Sequence, residues 1–193
     1  RNHCTSVCIS CTYGKSVCGI GTELKYYIKD GDQFKDVTPI RTTTTGSATF
    51  TSTSGSSTIT VNQTSHGVLV NDFGIISSAS TLGATNITST VLNQEYQVTG
   101  VPSANTFTIS ARNTDGSAVV SDGAVTGGGG GSTVINYLIN AGLNAFVADV
   151  GWGSGVWSGA FGWGGNNNLD PTTQLRVWTS DNFGEDLIVC ARG

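Results

Sequence analysis

The sequence predicts an all-β protein built of antiparallel strands, and three observations carry that prediction. Residues 46–111 form a run of short segments in which apolar and polar positions alternate, cut by turn residues. No convincing helix separates them, so neighbouring strands are expected to pair antiparallel, in a closed barrel or a sandwich. Composition agrees. Glycine supplies 27 of 193 residues and charged residues only 11%, against roughly 25% charged residues in an average domain.

Thr58, Ile59, Thr60 and Val61 show the period-2 pattern of a half-buried strand. Residues 68–76, 85–92, 96–101 and 106–111 repeat it. Between them stand Gly55, His66-Gly67, Asn71-Asp72, Gly83 and Pro102-Ser103-Ala104-Asn105, which accept positive φ or pre-set a turn. Asn93-Gln94-Glu95 reads as a further turn, and Asn113-Thr114-Asp115-Gly116 as a hairpin turn of the Asp-Gly type. Upstream, residues 24–28 and 34–38 read as a hairpin around Asp30-Gly31-Asp32, ended by Pro39-Ile40-Arg41. Residues 42–45, four threonines, read as a polar connector into the central module. Residues 127–131 are five consecutive glycines followed by a strand, not by the Lys-Ser/Thr and helix of a phosphate loop. They read as a hinge or linker, the other end of the same excursion. Residues 133–139, 174–179 and 186–190 are the remaining strand segments, with a tight turn over 180–184.

Size and charge narrow the function classes. A chain of 193 residues buries about 70% of its unfolded surface, enough for one good core or two small ones. Net charge is −4 and the nine Lys and Arg are unclustered, which argues against sequence-specific nucleic-acid recognition. The longest apolar run falls short of the roughly 20 residues that span a bilayer, and no signal-peptide pattern opens the chain. Starting at Arg1 without any Met, and ending on Arg192-Gly193 straight after a strand, is expected of a processed chain or a piece of a longer one.

Four cysteines, Cys4, Cys8, Cys11 and Cys18, crowd the N-terminal region, with Cys190 far away. A tetrathiolate zinc site is one reading. Only Cys8 and Cys11 have the usual knuckle spacing, so local disulfides or free thiols are preferred. His66 lies before a glycine with Asp72 nearby in sequence, but no nucleophile completes a catalytic set, and it reads as a turn residue. Glu95 and Asp72 as paired glycosidase carboxylates is a weaker reading still, because they fall on separate predicted strands. Neither an enzyme nor a cofactor is expected. Trp152, Trp157, Phe161 and Trp163 alternate with glycines. They suit either close packing between elements or subunits, or a stacking platform for sugar rings.

Three motifs in order carry a resemblance. IGTELKYYIKDGDQFKDVTPIR resembles a blade segment of tailed-bacteriophage tail structural proteins. GSSTITVNQTSHGVLVNDF through VLNQEYQVTGVPSANTFTI resembles the small β-domain inserted after it. GWGSGVWSGAFGWGG with QLRVWTSDNFGEDLIVCARG resembles the end of the same segment. The resemblance covers roughly residues 19–193; the four cysteines of residues 1–18 depart from it. It implies antiparallel propeller-like blade strands interrupted by a small β-barrel or sandwich insert. The expected division is a cysteine-rich leader over 1–18, a discontinuous blade over 19–45 and 132–193, and an insert over 46–131. It also implies a nozzle- or hub-type virion subunit, set in an oligomeric ring with copies of itself and neighbouring tail proteins, through which DNA passes. The acidic balance agrees, since an acidic lumen does not hold DNA. The alternative is a carbohydrate- or receptor-binding module of a tail fibre or adhesin, with the tryptophans facing a host surface glycan.

Overall fold

The computed structural model describes residues 5–10, 16–22, 24–83, 85–141, 177–183 and 186–192. Over these the chain is all-β and antiparallel, with one short helical turn. It divides into two compact units, one made of Arg1–Val37 with Gly142–Gly193, the other of Thr38–Ala141. The expected insert over 46–131 lies inside the second unit, which adds a strand at each end of it.

In the discontinuous unit, β1 (Thr5–Ser10), β2 (Ser16–Gly21), β3 (Tyr26–Asp30) and β4 (Gln33–Asp36) form a four-stranded meander in sequence order. The cysteine-rich start is thus paired sheet, where sequence spacing alone gave no strand. Cys8 stands opposite Cys18 in the β1–β2 register, while Cys4 and Cys11 lie outside the described residues. Lys25, 8% exposed, closes the hairpin with an ion pair to Asp36 at 2.6 Å. A second hairpin comes from the far end of the chain, β14 (Val177–Phe183) and β15 (Asp186–Arg192). It is anchored by Trp178, whose Nε1 donates to the Thr22 carbonyl at 2.7 Å and whose ring lies 5.0 Å from that of Tyr26. Gly21 makes room for it: a Cβ there would come within 2.3 Å of the indole.

The continuous unit is two open sheets on one core. β6 (Thr49–Ser52), β7 (Thr58–Asn62), β10 (Gly100–Ser103), β11 (Thr106–Ser110) and β12 (Val125–Gly128) make a sheet of order β10-β11-β7-β6-β12. β5 (Ile40–Thr45), β8 (Phe73–Ser77), β9 (Glu95–Gln97) and β13 (Val134–Leu138) make the other, of order β5-β13-β8-β9. Neither sheet closes, so the barrel alternative fails and two facing sheets remain. Phe50, Ile59 and Ile109 from the first sheet and Ile76, Ile135 and Tyr137 from the second share one buried cluster. Every second residue of β6, β7, β8 and β11 is buried, as strict alternation requires.

Several expectations need correction. The strand over 68–76 begins only at Phe73, because Asn71 takes a left-handed φ of 77° and the Asp72 carboxylate accepts the Leu69 N–H at 2.8 Å. Residues 85–92 hold no strand. Thr88 caps α1 (Ser89–Leu92) through its hydroxyl, and the buried positions Ile87, Val91 and Leu92 sit at helical spacing. Residues 96–101 are shared between two sheets: Val98 N–H bonds the Asp72 carbonyl at 2.8 Å and Thr99 N–H the Thr108 carbonyl at 2.8 Å, one on each side of the crossing. Residues 42–45 are not a connector but most of β5. Residues 133–139, read with the blade, supply β13, which pairs with both β5 and β8 inside the continuous unit.

The five glycines are not a linker either. Gly127 and Gly128 end β12, and the next residues carry the chain from one sheet to the other against the core. Gly129 has φ +97°, and a Cβ there would meet Phe50 at 2.2 Å. Its carbonyl accepts the Ser80 N–H at 2.8 Å. Replacing Gly129 by Ala therefore combines strain with a clash and costs about 2 kcal/mol or more. Gly55→Ala, at φ +79° but with open space around it, costs about 1 kcal/mol from strain alone. Urea unfolding of the two full-length variants measures the gap.

Candidate functional site

His66 and Asp72 are both buried, His66 bonded to backbone groups alone and Asp72 to two backbone N–H groups and the Asn140 side chain. The His66 ring, 3% exposed, packs edge-on against Phe107 at 5.1 Å. Its Nδ1 accepts the Val68 N–H at 3.1 Å, so Nε2 carries the proton that reaches the Ser103 carbonyl at 3.1 Å. Both ring nitrogens are committed to a turn. Asp72 accepts from Leu69 N–H and from Asn140 Nδ2 at 2.6 Å on one oxygen, and from Ala141 N–H at 2.6 Å on the other. No hydrogen bond joins the two residues, and the pairing of Asp72 with Glu95 has no vacant oxygen to work with. Asp72 instead clasps residues 140 and 141, the end of the continuous unit, to the turn that precedes β8. Among the described residues no group of three or more His, Cys, Asp or Glu is placed to hold a metal. Trp152, Trp157, Phe161 and Trp163 lie outside the described residues.

The structure assembles a site that sequence reading missed. Where the chain crosses between sheets, Gln97 and Thr99 line a shallow depression of about 220 Å³ together with Ser110 and Arg112. Gly116 and Ala118 of the following hairpin form its other wall, held by an isolated bridge between Arg112 and Ala118. Arg112 is fixed rather than loose. Its Nη2 donates to the Glu95 carbonyl at 2.7 Å, its guanidinium lies 5.6 Å over the Tyr96 ring, and Gln94 Nε2 donates to its carbonyl at 2.9 Å. Tyr96 beneath is buried and donates its hydroxyl to the Val91 carbonyl. The result is an exposed planar cation at a small, open depression whose polar lining is Gln97, Thr99 and Ser110 and whose remaining wall is Ala111, Gly116, Ala118 and the Tyr96 ring. The Asp-Gly hairpin turn at 113–116 is the one sequence signal near this site and foreshadows the bridge of Arg112 to Ala118; the crossing of residues 97–99 from one sheet to the other, which brings them beside Arg112, leaves none.

Burial pushes the Tyr96 phenol above its usual range, with Arg112 pulling it back partway. Burial raises Tyr137 likewise, offset by the Thr44 hydroxyl and the Arg41 charge. The Thr44 and Tyr137 hydroxyls are nonetheless both buried without a partner in hydrogen-bonding geometry. Both phenols hold their protons more tightly folded than unfolded. Their contribution to stability is thus complete below pH ~10 and is lost as pH rises past it, when the unfolded chain releases protons first. Absorbance titration of Tyr96→Phe and Tyr137→Phe will each lack one late-ionising phenol, and each will show a shallower alkaline loss of stability. Asp72→Ala removes a buried acceptor from three partly exposed donors and lowers the urea-unfolding free energy by about 1–2 kcal/mol.

No family model matches the chain, and no curated protein matches it. Among solved structures the Phage phi92 endosialidase is similar over 71% of this chain and 18% of that chain, at 18% identity and a TM-score of 0.38. The likeness thus spans less than a fifth of that chain's length.

Proposed function

We propose that the chain is a structural component of a phage virion tail, of the nozzle or hub type, that assembles with copies of itself into a ring through which DNA passes. The observation that carries this reading is the discontinuous unit. A four-stranded antiparallel meander of residues 5–36 precedes Thr38–Ala141, and the chain then returns to the same unit with β14 and β15, a two-stranded sheet of their own. A four-stranded antiparallel sheet is the repeating unit of a propeller. An excursion of β-structure out of such a blade is what the three sequence motifs imply. The low charge and hydroxyl-rich surface suit large contacts between like subunits. The commitment of His66 and Asp72 to turns supports a building block rather than a catalyst. Purified chain is expected to form closed rings in negative-stain images, and gold-labelled antibody against it to mark the tail of the particle. A monomer at all concentrations, with unlabelled particles, overturns the reading, and so does cleavage of envelope polysaccharide by the pure chain.

The Arg112 depression favours a second reading, a carbohydrate- or receptor-binding module of a tail fibre or adhesin. Saturable binding of host surface saccharide that Arg112→Ala weakens at least tenfold, in a chain that forms no ring, would replace the first reading with this one.

A further inference from the structure

Cys8 and Cys18 are partners in an unbroken antiparallel register that runs from Thr5–Gly21 to Ser10–Ser16. The neighbouring strands fix what kind of pair they make. The Thr22 N–H donates to the Lys25 carbonyl at 2.8 Å, one step beyond the Gly21–Tyr26 pair of β2 and β3. Along a strand the backbone groups of alternate residues point to the same side. Those of Ile20 and Cys18 therefore turn toward β3, and those of Gly19 and Val17 toward β1. β3 gives the same phase, since the Tyr26 carbonyl accepts the Val37 N–H at 3.0 Å and so faces away from β2.

Cys8 and Cys18 are thus a non-hydrogen-bonded pair, flanked by the bonded pairs Val7–Gly19 and Ile9–Val17. At such a site the Cα atoms stand about 4.5 Å apart and side chains approach most closely. That separation lies inside the window of roughly 4.4–6.8 Å that a disulfide spans. The face is reachable from solvent. Cys18 is half-buried, and its row continues through Lys29 of β3 to Phe34 of β4, both exposed. The structure holds Cys18 as a thiol.

We propose that Cys8 and Cys18 are the two halves of a redox staple, a cross-strand disulfide that closes in an oxidising medium and ties β1 to β2. The thiolate of one cysteine attacks a low-molecular-weight disulfide, expels one small thiolate and leaves a mixed disulfide. The thiolate of the other attacks the protein sulfur of that mixed disulfide and expels the second small thiolate. One S–S bond forms for the one broken, two electrons pass to the small disulfide, and the two S–H protons go to solvent. A staple matters at this place because β1 is an end strand, paired within its sheet with β2 alone. Closing a loop of about ten residues shifts the folded-to-unfolded ratio by about a hundredfold. The pairing is a property of the sheet and holds under either reading of function. Its timing rests on the tail reading: the chain is made in a reducing cytosol and works on a virion surface, where disulfides persist.

The full-length chain is incubated with oxidised glutathione, alkylated, cut with trypsin without reduction and read by fragmentation mass spectrometry. The expected product joins residues 2–15 to residues 16–25, lighter than the two peptides by two hydrogens and bridged at Cys8. Amides of β1 are expected to exchange at least tenfold more slowly than after reduction. Cys4→Ser/Cys11→Ser is expected to keep the bridge in full, and Cys8→Ser to lose it and leave Cys18 as a glutathione adduct. A bridge from Cys18 to Cys4, Cys11 or Cys190 in the unsubstituted chain overturns the proposal. So does Cys18 recovered there only as a thiol or a glutathione adduct, a result that stands even if a variant fails to fold. A Cys8–Cys18 bridge in a chain that marks no virion tail upholds the staple and removes only its timing.

Discussion

The shared core between two open sheets is the constraint on which the continuous unit depends. With few charged residues, the chain has little besides strand alternation to separate inside from outside. Phe50, Ile59, Val61, Ile109 and Ile135, each essentially unexposed, sit at the period-2 positions that face each other across the two sheets. Burial of side chains of this size contributes about 1.5–3 kcal/mol apiece, and polar positions on the opposite faces keep the sheets from inverting. A slip of one residue in any strand would turn that strand's members of this set out to solvent.

Two sheets require the chain to cross between them, and each crossing takes backbone groups out of regular ladders. The molecule handles these points with specific polar residues. Asp72 gathers donors from Leu69, Asn140 and Ala141 at the end of one crossing. His66 fixes the turn before it through both ring nitrogens. Asn93 does the same near α1, exchanging hydrogen bonds with both the N–H and the carbonyl of Ala79. These residues look chemical in a sequence, since histidine and aspartate are the usual agents of acid–base work. Here burial and full hydrogen-bond commitment make them architectural.

The same crossings create the surface features that distinguish the unit. Arg112 closes one sheet edge by taking the Glu95 carbonyl and, in doing so, leaves the rest of its guanidinium beside a shallow polar depression. The opposite edge of that sheet, β5, carries Arg41 and a register irregularity at its start.

By itself the sequence determined that the chain is all-β and antiparallel, and it located Ile59, Val61, Phe107 and Ile109 on buried faces, because alternation is a local property written residue by residue. The turns at Gly55, Gly67, Asn71 and Gly116 were legible for the same reason: positive φ selects glycine or asparagine wherever it occurs. Tertiary structure alone decided the rest. Four threonines at 42–45 have high strand propensity whether or not a partner exists, and only β13 makes them an edge strand. Residues 85–92 alternate well enough for a strand, yet Thr88 and the buried trio Ile87, Val91 and Leu92 turn them into a helical turn. Five glycines read as a hinge until Phe50 fills the space a side chain would need. Of the Arg112 depression only the hairpin turn at 113–116 was legible; the sheet crossing at residues 97–99 that completes it was not, since neither propensity nor period records which strands will meet.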